Sequence, residues 1–136
     1  MMNCFLSVER IIFNKEIDAF CKLTNDHNPI HLNKEFALNS GQKDCVVNGA
    51  LTLSLAIGYL MENTKNSVGA LILETKSLFK KPILANQIVY FHLVEIENHL
   101  NGSIVIYSVY ITKSDKFNFD KPEIYLHKHS VTLRCG

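Results

Sequence analysis

An acid and an imidazole stand five positions apart, Asp26 and His31, with Asn28-Pro29 between them. The residue before a proline is pushed out of the helical region, so a helix reaching this point must stop and bend. The bend lets His31 return towards Asp26. A carboxylate and an imidazole placed together can hold one water, each accepting a proton from it. Imidazole titrates near neutrality without much tuning, which suits general acid/base work. Asn28 either nucleates the turn or orients one of the pair. A plainer account, a helix-end cap beside a surface histidine, uses the same residues. The pair lacks the third ligand of a catalytic zinc, so no metal is expected.

The elements that must position these groups differ between the two halves of the chain. An extended arm over residues 4–13 precedes Glu16 to Thr24, where Ile17, Phe20, Cys21 and Leu23 approach a helical stripe. Asn33 reads as the N-cap of a second short helix carrying Phe36, Ala37 and Leu38, closed by Ser40-Gly41. Val46 to Met61 is the most apolar piece, starting its helix near Asn48 or Gly49. A helix apolar on every side must be surrounded by protein. From Val68 onward four strand runs follow, 68–79, 87–97, 103–112 and 124–134. The third is apolar on both faces, so its sheet is covered twice or faces a second subunit. The layout is α+β, and an antiparallel sheet wrapped around a long central helix is one of several such arrangements that would enclose it.

The segment from Phe20 to Asn33 resembles the MaoC-like (R)-specific enoyl-CoA hydratase/dehydratase family. Its pattern is roughly F-x-x-x-[ST]-G-D-x-N-P-[IL]-H-x-[DN], and Phe20, Thr24, Asp26, Asn28, Pro29, Ile30, His31 and Asn33 fall on it, with Asn25 in place of glycine. In register, Phe36-Ala37 matches the second helix, and Val46 to Leu51 matches V-x-H-G-[MA]-L with Asn48 in place of histidine. Phe79 to Ile83 matches F-x-x-P-[VI], after which Asn86-Gln87 replaces G-D.

The resemblance implies one MaoC-like hotdog domain over residues 1–136, acting as a hydro-lyase that interconverts trans-2-enoyl and (R)-3-hydroxyacyl thioesters of coenzyme A or acyl carrier protein. It implies that Asp26 and His31 activate the water, with Asn28 beside them. It places the Gly49 N–H at the thioester oxygen, and Asn48, Ala50 and Ser54 at the substrate. The physics agrees at Gly49: free N–H groups and the helix dipole stabilise an enolate-like oxygen. No cofactor is implied, because the thioester itself acidifies the α-proton. A homodimer with the thioester between subunits is expected. Two rival readings are a hotdog acyl-thioesterase and a non-catalytic acyl-thioester-binding module.

Several residues carry a bland reading beside a chemical one. Gly49 serves close packing, and Ser54 bonds back to a carbonyl one turn earlier. His27 faces solvent. His127 and His129 share one face of the last strand at metal-ligand spacing, yet a surface pair is the simpler account. Cys45 reads as a buried, inert thiol, and Lys80-Lys81 as solvated, although a coenzyme A phosphate would suit them. Tyr59, Phe79, Tyr90 and Phe91 are candidates to bound the pocket.

Composition narrows the class. With 136 residues, 47% apolar and 20% charged, the chain suits one ordinary core. Its 14 Lys and Arg face 13 Asp and Glu, without the basic surplus of a nucleic-acid binder. No apolar run reaches the ~20 residues a membrane span needs, and no signal peptide is read. Four cysteines without two-residue spacing point to a reducing, cytoplasmic setting.

Overall fold

The computed structural model describes residues 2–65 and 67–135. β1 (Asn3–Ile11) leads into α1 (Asn14–Thr24), the single turn α2 (Pro29–Leu32) and α3 (Lys34–Asn39). The long α4 (Gly49–Asn63) follows, then β2 (Leu71–Phe79), β3 (Ile88–His99), β4 (Ile104–Thr112) and β5 (His127–Arg134). All five strands join one antiparallel sheet in the order β1-β3-β4-β5-β2. The four strand runs expected after Val68 are all present, with starts moved by one to three residues and three of the four ends unchanged.

Local chemistry explains the helix ends. Glu16 reaches back to accept the Phe13 N–H at 3.1 Å while pairing with Arg10, which starts α1. Ile17 and Cys21 form its buried face. Asn25 closes it in the left-handed region at φ 60°, where glycine is the usual choice and asparagine the best-tolerated alternative. Asn33 caps α3, its Oδ1 accepting from Phe36 N at 3.0 Å.

One sheet face presents Val89, Phe91 and Leu93 of β3, Val109 and Ile111 of β4, and Val131 and Leu133 of β5, all sealed from solvent. Against them lie Leu51, Thr52, Ala56 and Leu60 of α4. Each large apolar side chain so buried contributes about 1.5–3 kcal/mol. The expected all-round enclosure of α4 needs correction: Ala50, Ser54 and Gly58 stay exposed, so the sheet backs one side of the helix. On the opposite sheet face the β4–β5 connection folds back, setting Phe117 against His92 and Tyr110.

β2 is the unusual strand. It bonds to β5 along one edge, and Leu71, Ile72, Leu73, Leu78 and Phe79 are 42–54% exposed. An apolar edge strand left bare is an association surface.

The approach to α4 is pinned from two directions. Val47 N donates to Ile83 O and Ala85 N to Cys45 O, both at 2.8 Å. Val46 N donates to Ile30 O at 2.9 Å, tying this segment to the turn that carries His31.

Candidate active site

Asp26 sits just past the end of α1, its N–H bonded to Cys21 O at 3.2 Å. Its Oδ1 accepts from the Asn28 backbone N–H at 3.2 Å, and its Oδ2 from Asn48 Nδ2 at 3.0 Å. These donors, the Asn28 amide first and Asn48 second, hold the carboxyl below its ordinary value, with His31 adding to the effect. Asp26 is therefore ionised at neutral pH.

His31 lies on α2, an element the sequence reading does not separate from the surrounding bend. Its Nδ1 is 2.6 Å from Val46 O. A carbonyl oxygen only accepts, so Nδ1 carries the proton and the neutral ring keeps its lone pair on Nε2. That nitrogen stands 3.5 Å from Asp26 Oδ2. The two atoms present their acceptor sites side by side, within reach of a single water. Asn28 contributes differently from expectation: its side chain caps α2 by accepting from Ile30 N at 3.1 Å, and its backbone N–H holds Asp26.

Asn48 occupies the N-cap position of α4 without capping it. Its buried amide points instead to Asp26 and, at 3.4 Å, to Cys21 Sγ, and its Oδ1 has no partner among the described residues. The first N–H groups of α4 are thus left without the side-chain acceptor that usually claims them. Gly49 comes first among them. A Cβ there would meet Phe79 Cε1 at 2.5 Å, so glycine lets the ring lie directly over the start of the helix, and any side chain would make the ring shift.

Gly49 and Ala50 line a cavity of about 650 Å³ together with His31, Phe79, Pro82 and His127. Of the aromatics named as candidates, Phe79 borders this cavity. Phe91 is sealed in the core with Tyr59 packed on its ring, and Tyr90 bonds to Glu9 at the sheet edge. Ser54 is exposed outside the lining and donates to Ala50 O at 2.8 Å, so its predicted substrate contact gives way to the local back-bond.

His127 and His129 are also corrected: both are buried, at 3% and 0% exposure. Thr52 Oγ1 of α4 lies 2.9 Å from His127 Nδ1, 2.8 Å from His129 Nε2 and 2.9 Å from Gly49 O. Ser77 Oγ is 2.7 Å from His129 Nδ1. Phe79 stacks edge-on against both imidazoles, at 4.8 and 5.6 Å between centroids. Burial pushes both histidines down to about 4, so they are neutral. The sequence held a signal for this: His127, His129, Val131 and Leu133 alternate onto one face, and Val131 and Leu133 are core.

His27 is exposed, and Cys45 is buried with its thiol pushed up first by desolvation. Among the described residues no group of three or more His, Cys, Asp or Glu is placed to hold a metal ion, and no helix is long and apolar enough to cross a membrane.

Residues 5–116 match the family model for the MaoC like domain. A 50-residue segment is 40% identical to the mitochondrial 3-hydroxyacyl-[acyl-carrier-protein] dehydratase FERN of Solanum lycopersicum. That segment is 37% of this chain and spans 30% of the relative's length. The fold is similar to the (R)-hydratase from A. caviae involved in PHA biosynthesis, with a TM-score of 0.79 at 18% identity over 100% of this chain and 95% of that one. It is equally similar to R-hydratase PhaJ1 from Pseudomonas aeruginosa, with a TM-score of 0.79 at 15% identity over 99% and 79% of the two chains. At such identities the structural likeness speaks for the hotdog fold alone. The family match covers most of the sequence and includes Asp26, His31 and Gly49, and on that ground the chain belongs to the MaoC-like domain family.

Proposed function

We propose that this protein is a hydro-lyase interconverting trans-2-enoyl and (R)-3-hydroxyacyl thioesters of coenzyme A or acyl carrier protein, its residues 1–136 forming one MaoC-like domain. The observation that carries the reading is His31 Nε2 lying 3.5 Å from Asp26 Oδ2, with its Nδ1 held 2.6 Å from Val46 O. A water held beside this pair donates an O–H to His31 and presents its oxygen for attack, with the Asp26 carboxylate next to it. As that oxygen bonds to C3 of the enoyl group, His31 takes one of its protons. Negative charge moves to the thioester oxygen, where the uncapped Gly49 N–H and the α4 dipole stabilise it. His31 then delivers the same proton to C2, so the pair ends as it began and one water has been added. Loss of water retraces these steps, and no redox partner enters.

The bare apolar edge of β2 supports a homodimer, and the four free thiols suit a reducing, cytoplasmic setting. The test is hydration of crotonyl-CoA followed by loss of enoyl absorbance, with chiral analysis of the product. Asp26→Ala and His31→Ala should each lower the rate by about 10²–10⁴-fold, the usual worth of a positioned acid/base group. Turnover that persists in both variants overturns the mechanism. Release of free thiol with no hydration would identify a thioesterase, and acyl-CoA binding without turnover a binding module.

A further inference from the structure

A second cavity, of about 460 Å³, adjoins the first and shares Lys80 and Lys81 with it. Its volume is within the ~300–1,000 Å³ range of small-molecule sites. The β4–β5 connection builds much of its wall, and residues 117–126 of that wall lie beyond the stretch matching the family model.

Five lysines line it: Lys80, Lys81, Lys113, Lys116 and Lys121. Glu123 is the one carboxylate on the wall. The whole chain has 14 Lys and Arg against 13 Asp and Glu, so setting these six residues aside leaves nine against twelve. A molecule otherwise net acidic concentrates its positive charge here. None of the five ammonium groups belongs to an ion pair among the described residues.

The floor is aromatic. Tyr125 lies under the Lys80 ammonium, 4.1 Å from ring centroid to nitrogen, and Phe117 is wedged against Tyr110 and Phe119. The frame is fixed: Lys80 N and Lys81 N both donate to Leu126 O, and Lys80 Nζ to Glu123 O.

Ammonium groups that no carboxylate neutralises, gathered around a concave aromatic surface, suit a phosphorylated planar base. We infer that this cavity binds the adenosine 3′-phosphate 5′-diphosphate end of coenzyme A, while the acyl-pantetheine arm passes Lys80 and Lys81 to reach Gly49. The inference rests on the thioester reading above and selects coenzyme A as the carrier. The three phosphates bring about four negative charges at neutral pH, close to the surplus on the wall. A nucleotide can enter a hollow of about 460 Å³, whereas a folded carrier protein would meet these lysines only from outside it.

Calorimetric titration of the full chain with adenosine 3′,5′-bisphosphate tests this without requiring turnover, so a failed hydratase assay and a failed nucleotide site are separate results. Wild type should bind. The Lys113→Glu, Lys116→Glu, Lys121→Glu triple variant should lose at least about tenfold in affinity, the worth of one charged hydrogen bond. Lysine acetylation of the wild-type protein guards against misfolding of that variant, since bound nucleotide should shield Lys113, Lys116 and Lys121. No binding to wild type, equal binding to a folded triple variant, or no shielding overturns the assignment. Apo acyl carrier protein that binds through these lysines when the nucleotide does not would overturn it in favour of protein docking.

Discussion

Asn48 Nδ2 donates to Asp26 Oδ2 at 3.0 Å, the same oxygen that faces His31 Nε2 at 3.5 Å. The N-cap residue of the central helix thus serves the carboxylate rather than its own helix. Asn48→Ala removes the second of the two donors that hold Asp26 low. The Asp26 titration midpoint, followed by carboxyl carbon resonance, should move up towards the ordinary value of 3.8. Hydration should slow by about tenfold, as expected when one hydrogen bond to a charged group is lost. An unmoved midpoint would show that the Asn28 amide suffices alone.

Gly49→Ala forces a methyl group into the Phe79 ring, which His127 and His129 hem in from behind. Overpacking of this kind costs about 1–3 kcal/mol. Chemical denaturation should show that loss, and the Gly49→Ala, Phe79→Ala pair should lose less than the two single changes added together. Strict additivity would mean the ring swings aside freely.

Acid should weaken the fold through His127 and His129. Their folded values are depressed to about 4, against 6.5 for a free imidazole, so the unfolded chain takes protons first. Their contribution is complete above pH 6.5 and declines as pH falls towards 4. His92, also lowered by burial, acts with the same sign. Unfolding free energy measured across that window should drop, and His129→Gln should flatten the slope even where it lowers stability throughout. A slope unchanged by that substitution assigns the acid sensitivity elsewhere.

Leu73→Glu tests the open strand. It is 54% exposed on β2, so the charge costs the isolated chain little. Sedimentation equilibrium should give a dimer for wild type and a shift towards monomer for the variant. A wild-type monomer would leave β2 without an explanation.

Much of the site was legible because it is local. Asp26, Asn28, Pro29 and His31 lie within one bend, and Asn33 caps the next helix as its residue type foretells. The two departures from the family pattern at glycine positions also make physical sense: Asn25 and Asn86 both take positive φ, at 60° and 67°. What stayed hidden is long-range. No local pattern says that Val46 O will fix the His31 tautomer, or that Thr52 will meet two imidazoles 75 and 77 positions away. Strand alternation put His127 and His129 on one face; only their apolar neighbours told which face.

Asn48-Gly49 is also the dipeptide most prone to cyclise to a succinimide and deamidate, because glycine offers an unhindered nitrogen. In the folded chain that nitrogen opens a helix and the amide is buried against Asp26 and Cys21, a geometry that keeps the ring from closing. Chemical ageing at this bond should therefore proceed through opened molecules. Each event would set a new carboxylate against Asp26, converting a passing excursion into a permanent loss of function.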